Sequence, residues 1–208
     1  WVACVRRKAA QLPAGAYDRT AFVATVRRLS PLVRDPAALA TFQKLLADVG
    51  VRLVYLEAFP GGKLDGCALL LDGAPVIGIS GRGKRLDKVL FTILHEAAHV
   101  MLGHLGHADE AIADDLSAPA GDSQEEEADE LAGSLAIAGP LSDVPGRVTR
   151  GWIDAEAQRL DVHPLVLIGR LQNEGRVPWN TTLVRDAASA ISYLEQWETA
   201  AITGSASA

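Results

Sequence analysis

The chain has 208 residues, 49% of them hydrophobic, and a formal net charge of −6. That length and that apolar fraction are enough for one buried core, or one core with a small appendage. The acidic balance argues against a general electrostatic attraction to nucleic acid or to an anionic membrane surface, while leaving room for a local basic patch.

Residues 1–48 read as helical. Val2, Val5 and Ala9 form a weak apolar stripe, Phe22, Val26 and Leu29 a clearer one, and Asp35-Pro36 opens a third with Leu39, Phe42, Leu45, Leu46 and Val49 on one face. Gly50 closes it, and the period changes. Val51 to Leu56 is β-rich. Cys67 to Leu71 and Val76 to Ile79 are short apolar runs around a turn at Asp72-Gly73-Ala74-Pro75. Three short strands, read as antiparallel, therefore precede the next element. Ser80 to Arg85 is basic and glycine-rich but lacks phosphate-loop spacing, so it reads as a turn.

From Leu86 to Leu105 the pattern is helical and apolar nearly all round, the mark of a buried helix, with Gly106 read as its end. Residues 107–123 are small and polar and read as a loop. Gln124 to Ala138 is an amphipathic helix ending at Gly139-Pro140. Trp152 to Leu160, Pro164 to Asn173 and Leu183 to about Ala201 read as three more helices. The fold class is α+β: mainly helical, with a small three-stranded antiparallel sheet beside the buried helix. The expected division is a helical segment over 1–48, a core over 49–145 and a C-terminal helical subdomain over 146–208. The two cysteines, Cys4 and Cys67, lie in no disulfide-framework or metal spacing, which fits a reducing cytoplasm. No apolar run reaches the roughly 18 residues of a membrane span, and no signal-peptide pattern opens the chain. Starting at Trp1 rather than Met, the sequence reads as part of a longer chain.

The buried helix contains His95-Glu96-Ala97-Ala98-His99. Histidines at i and i+4 project from one face one turn apart, so both imidazoles can share one metal ion. Glu96 points about 100° round the helix and can reach a water there without being a ligand. This is the mechanical content of HExxH: two zinc ligands and a general base. The bland alternative is a pair of core histidines bonded to carbonyls. It must place three ionisable groups in the most apolar helix of the chain without a metal, which is costly.

A catalytic zinc needs a third protein ligand and one open position. The extended pattern HExxHxxGxxH fails, since Gly103 and His104 are each one position off. His104, five residues after His99, is rotated away from the ligand face, and His107, beyond the helix end, is a weaker candidate ligand. Both read best as exposed histidines at a helix terminus, where the dipole favours them. The acidic run Asp122 to Glu130 offers a carboxylate instead. Glu125 and Asp129 are i and i+4 on one face: one carboxylate to ligate, the next to hydrogen-bond a ligating imidazole and fix its tautomer. Glu126 and Glu127 are the fallback ligands. A solvated acidic helix start is the competing reading.

The run Phe91-Thr92-Ile93-Leu94-His95-Glu96-Ala97-Ala98-His99, followed by Glu125-Glu126-Glu127-Ala128-Asp129-Glu130-Leu131-Ala132, resembles the ImmA/IrrE family of zinc endopeptidases, whose second helix reads E-x-x-A-(N/D)-x-x-A. The likeness covers about residues 20 to 180, including the strands from Val51 to Ser80. Gly169-Arg170-Leu171-Gln172 and Pro178-Trp179-Asn180 are similar to a subgroup in which a repressor-type or antitoxin-like helix-turn-helix domain comes first. Leu135 to Pro140 departs from the family's usual pattern, in a way that touches packing rather than chemistry. The resemblance implies a thermolysin-like active-site core, Zn2+ as cofactor, His95, His99 and Glu125 as ligands, Glu96 as base and Asp129 as the partner of a ligating histidine.

It further implies metal-assisted cleavage of a helix-turn-helix repressor in a stress or mobile-element response. Tyr17, Tyr55, His107 and His163 are candidates to stabilise the oxyanion, with a capping role equally open to His163. A strand edge within residues 67–79 is a candidate for substrate pairing. The second reading is a regulatory or dimerising half of a DNA-binding antitoxin or transcription regulator, with zinc that senses or stabilises. DNA contact would then run through an upstream domain, since six arginines against four acids over 147–185 are too weak a signal. A zinc-stabilised interaction domain is the third reading. The expected partner is a protein substrate, with a homodimer also conceivable and no membrane involved.

Overall fold

The computed structural model describes residues 1–106, 111–113, 123–185, 187 and 189–204. Helix α1 (Val2–Ala9) is followed by α2 (Arg19–Leu32), a 3-10 turn (Pro36–Thr41) and α3 (Phe42–Ala47). Asp18 and Asp35 each accept a hydrogen bond from a backbone N–H two or three residues on, which fixes where α2 and the 3-10 turn begin. Strands β1 (Arg52–Tyr55), β2 (Gly66–Leu71) and β3 (Ala74–Ile79) come next, then α4 (Leu86–Leu102), a three-residue strand β4 (Ala111–Ala113) and α5 (Ser123–Ala136). Helices α6 (Arg150–Arg159), α7 (Pro164–Asn173) and α8 (Ile191–Gly204) complete the chain, with a short 3-10 turn (Thr182–Val184) before α8. The class is α+β and mainly helical.

The sheet departs from the expectation in two ways. It has four strands in the order β1-β3-β2-β4, and it is mixed. β2 pairs antiparallel with β3 and with β4, whereas β1 runs parallel to β3. The segment 56–65 is long enough to carry the chain past one strand position, so β3 returns into the gap between β1 and β2. Local alternation marks strands but not their order, so this crossover left no trace in the pattern. β4 is too short to alternate visibly. The turn between β2 and β3 is tighter than read. Asp72 and Gly73 alone form it, both with positive φ (52° and 77°), and Ala74 and Pro75 already pair with Leu71 and Leu70. That geometry is the two-residue turn whose twist suits a hairpin.

Two helices end or start elsewhere than expected. Gly103, at φ 78°, stops α4 in the left-handed conformation, so the helix ends at Leu102 rather than Leu105. The last helix begins at Ile191, not Leu183, because Ala190 donates its N–H to Lys84 O and Ser189 bridges to Arg85.

One apolar cluster runs from Phe22 to Trp197, with α4 at its centre. A second, formed by Val5, Ala9, Leu12, Val54, Cys67, Leu69 and Val76, lies where α1 covers the other face of the sheet. Gly78 lets α1 approach: a Cβ there would meet Val5 at 2.7 Å. Helix α2 braces both helices that carry the site. Arg19 Nη2 donates to Met101 O at the end of α4 (2.8 Å), and the buried Ser30 hydroxyl donates to Ala136 O at the end of α5 (2.5 Å). These bonds satisfy carbonyls that the helix ends leave open. Among the described residues no helix is long and apolar enough to cross a membrane, and Cys4 and Cys67 are free thiols.

Candidate metal centre

His95, Glu96 and His99 lie in the last two turns of α4 and are buried, Glu96 and His99 completely. Helix α5 packs on this stretch through Ala128 and Ala132, both fully buried. Their small side chains allow close approach, and they share a face with Glu125 and Asp129, one helical turn apart. The acidic start of α5 is thereby split. Glu125 turns inward, while Glu126, Glu127 and Glu130 lie on the exposed side.

The geometry is convergent. Nε2 of His95 and Nε2 of His99 are 3.1 Å apart. The Glu125 carboxylate brings Oε2 to 3.2 Å from the first and Oε1 to 3.5 Å from the second. One donor atom from each of these three residues falls within 4.8 Å of the others, the span a single ion would bridge. Among the described residues two imidazoles and one carboxylate converge, a donor set that suits zinc held by three protein ligands. On the far side of its ring, His95 Nδ1 lies 2.9 Å from Asp129 Oδ1. This contact holds the ring with Nε2 facing the other donors.

Glu96 sits one residue round the helix, against the start of β2. A Cβ on Gly66 would stand 2.4 Å from Glu96 Oε1. The strand touches the helix where Glu96 needs room, which explains a glycine there. The neighbouring Cys67 thiol is pushed up to about 12, first by burial and then by the negative charge of Glu96. It is therefore a protonated packing group and no nucleophile.

The family model of the IrrE N-terminal-like domain of peptidase M78 matches residues 47–162. The chain belongs to this family. It carries a metallopeptidase domain of the ImmA/IrrE type, and the matched span runs from the end of α3 to just beyond α6, enclosing every residue of the convergent site. No match was found among curated proteins or among solved structures.

Within this M78 domain, the sequence-based candidates fare differently. His95, His99 and Glu125 are brought together, with Glu96 beside them and Asp129 behind His95. Glu126 stays on the exposed side of α5. His104 lies outside the group of three donors and is not an exposed terminal histidine. Its side chain is only 8% exposed, and its Nδ1 lies 3.0 Å from Nδ1 of His99. Its position does not follow the rotation of a continuing helix, because α4 stops at Gly103. The left-handed turn folds the chain back, with His104 N–H donating to His99 O (3.0 Å). Gly103 at the helix end was the signal that identifies this return.

Of the oxyanion candidates, His163 accepts from Leu165 N–H (3.1 Å) as the cap of α7, and burial pushes its pKa below the ordinary value. Tyr17 packs on Phe22, and Tyr55 lies in the core on β1, two strands away from β2. His107 lies outside the described residues. Of the strand edge expected within 67–79, β3 is central, and Cys67, Ala68 and Leu69 of β2 pair with β4. A cavity of about 250 Å³ opens between α4, α5 and α7, bordered by Phe91, Asp129, Val166 and Arg170, on the Asp129 side of His95.

Proposed function

We propose that the chain is a zinc-dependent endopeptidase in which His95, His99 and Glu125 hold the metal and Glu96 is the general base. The observation that carries this reading is the meeting of three donors from two helices, with Glu96 buried on the same helix next to His95. A purely structural zinc takes four protein ligands, and the three donors that converge among the described residues, with an adjacent carboxylate, suit catalysis better.

Zinc held by these residues supplies Lewis acidity, lowering the pKa of water towards ~7 and polarising a peptide carbonyl. The chain's own groups do the rest. Asp129 accepts the Nδ1 proton of His95 and so keeps Nε2 free for the metal. Glu96 takes a proton from water as the oxygen attacks the scissile carbon. It then delivers that proton to the departing amine as the C–N bond breaks. The Glu96 side chain lies against Gly66, which restricts where the carboxylate can move.

The substrate proposed is a helix-turn-helix repressor cut at one site. The support is the ImmA/IrrE family membership together with the resemblance of the C-terminal segments to repressor-fused members. The test is to incubate the zinc-loaded chain with candidate repressors of this type and map new termini. A single cut, abolished by chelation and restored by zinc, is the expected result. Zinc retained with no repressor cut would favour a sensing or regulatory role instead.

A further inference from the structure

We infer that His104 is a positioning residue for the metal site, linking the ring of His99 to the carboxylate of Glu127. The inference rests on the zinc reading of His99 given above.

Nε2 of His99 faces the other donors, 3.1 Å from His95 Nε2 and 3.5 Å from Glu125 Oε1. A histidine that ligates through Nε2 carries its proton on Nδ1. The atom facing that proton is Nδ1 of His104, at 3.0 Å. A neutral imidazole has one donor and one acceptor, so His104 accepts at Nδ1 and holds its own proton on Nε2. Nε2 in turn lies 3.3 Å from Glu127 Oε2. Each proton then has a defined acceptor, and the chain of bonds runs from His99 through His104 to Glu127.

The two ligating histidines are thus supported differently. His95 reaches a carboxylate on α5 directly, at Asp129. His99 reaches α5 through an interposed imidazole. Helix α5 consequently offers one carboxylate to the metal, Glu125, and two to the backs of the histidines. Simple interaction with the α4 dipole does not account for His104. Its backbone N–H, not its ring, meets the carbonyl of His99, and its ring is turned edge-on to the His99 ring with centroids 5.2 Å apart. The left-handed Gly103, with φ 78°, makes this return possible.

The test measures zinc affinity by competition with a chromogenic chelator, and the visible spectrum of the cobalt-substituted protein. It compares wild type with His104→Ala, His104→Phe, His104→Asn and Glu127→Ala. The apo-protein melting temperature is recorded for each. The alanine and phenylalanine variants are expected to bind zinc roughly 10–100-fold more weakly and to shift the cobalt spectrum, the scale typical of lost outer partners. Glu127→Ala is expected to lose less. His104→Asn places a carbonyl oxygen where Nδ1 stood, so it is expected to recover most of the affinity. Wild-type affinity and an unchanged cobalt spectrum in the alanine and phenylalanine variants would overturn the inference. So would losses that track apo stability and are not rescued by asparagine. Wild-type protein that takes up no zinc would instead overturn the zinc reading itself.

Discussion

Gly66 of β2 approaches Glu96 of α4 so closely that an added Cβ would stand 2.4 Å from its Oε1 and 2.8 Å from Thr92 Cγ2. Contacts that short force either the strand or the carboxylate to move. Gly66→Ala is therefore predicted to lower kcat by about 10- to 100-fold, since displacing a reacting group by an ångström has costs of that order. His95, His99 and Glu125 are not among the three nearest neighbours of such a Cβ, so zinc content is predicted to stay at wild-type level. Steady-state kinetics beside metal analysis checks both halves. Full activity in Gly66→Ala would mean that Glu96 has more freedom than its packing indicates.

Asp129 lies 2.9 Å from His95 Nδ1 although its side chain is 64% exposed. Loss of this acceptor is predicted to weaken zinc binding by roughly 10–100-fold in Asp129→Ala. Asp129→Asn keeps an acceptor oxygen and is predicted to lose less. Competition with a chelator of known affinity reads the difference. Equal affinities for all three proteins would remove Asp129 from the site.

Glu156 predicts a stability that depends on acid. Hydrogen bonds from Arg159, and from the Ser142 N–H and hydroxyl, outweigh the cost of burial and hold its carboxyl down to about 2, from an ordinary value of 4.5. A depressed carboxyl stabilises the fold fully above its unfolded value and loses that contribution as pH falls through the folded one. Glu156→Gln is thus predicted to be less stable than wild type by roughly 2 kcal/mol at neutral pH. The gap should close as the pH falls from about 4.5 to about 2. Denaturant melts at several pH values check the convergence, and a gap independent of pH would refute it.

Asp87 anchors the start of α4. It receives two hydrogen bonds from Arg85, whose guanidinium also donates to Gln172 of α7 (2.9 Å). With the Asp87 side chain 5% exposed, Asp87→Ala leaves Arg85 poorly compensated and is predicted to cost about 3 kcal/mol. Gly169 faces the same carboxylate, a Cβ there standing 2.6 Å from Oδ2, so Gly169→Ala is predicted to destabilise in the same direction. Urea midpoints read both; a neutral Asp87→Ala would show that α7 docks without this contact.

The residues that converge were legible because they obey helical periodicity. HExxH sets His95, Glu96 and His99 by spacing alone, and Glu125 and Asp129 share a face for the same reason. What was hidden depends on chain reversal or on long-range pairing. His104 was read as continuing the helix, whereas Gly103 turns it back onto His99. The close approach of Gly66 to Glu96 joins positions thirty residues apart and has no local pattern. The parallel pairing of β1 with β3 likewise depends on which gap the hairpin enters. Periodicity speaks of faces, and these contacts are matters of register and return.

Glu96 separates catalysis from mere metal binding. The most direct test is the Glu96→Gln protein, with zinc content and peptide-bond cleavage measured on one preparation. The side chain keeps its shape but can no longer accept the proton of water. The expected result is about one zinc per chain, as a ligand set of His95, His99 and Glu125 would require, and loss of cleavage by at least about 100-fold. Cleavage at the wild-type rate by a zinc-loaded Glu96→Gln protein would contradict it.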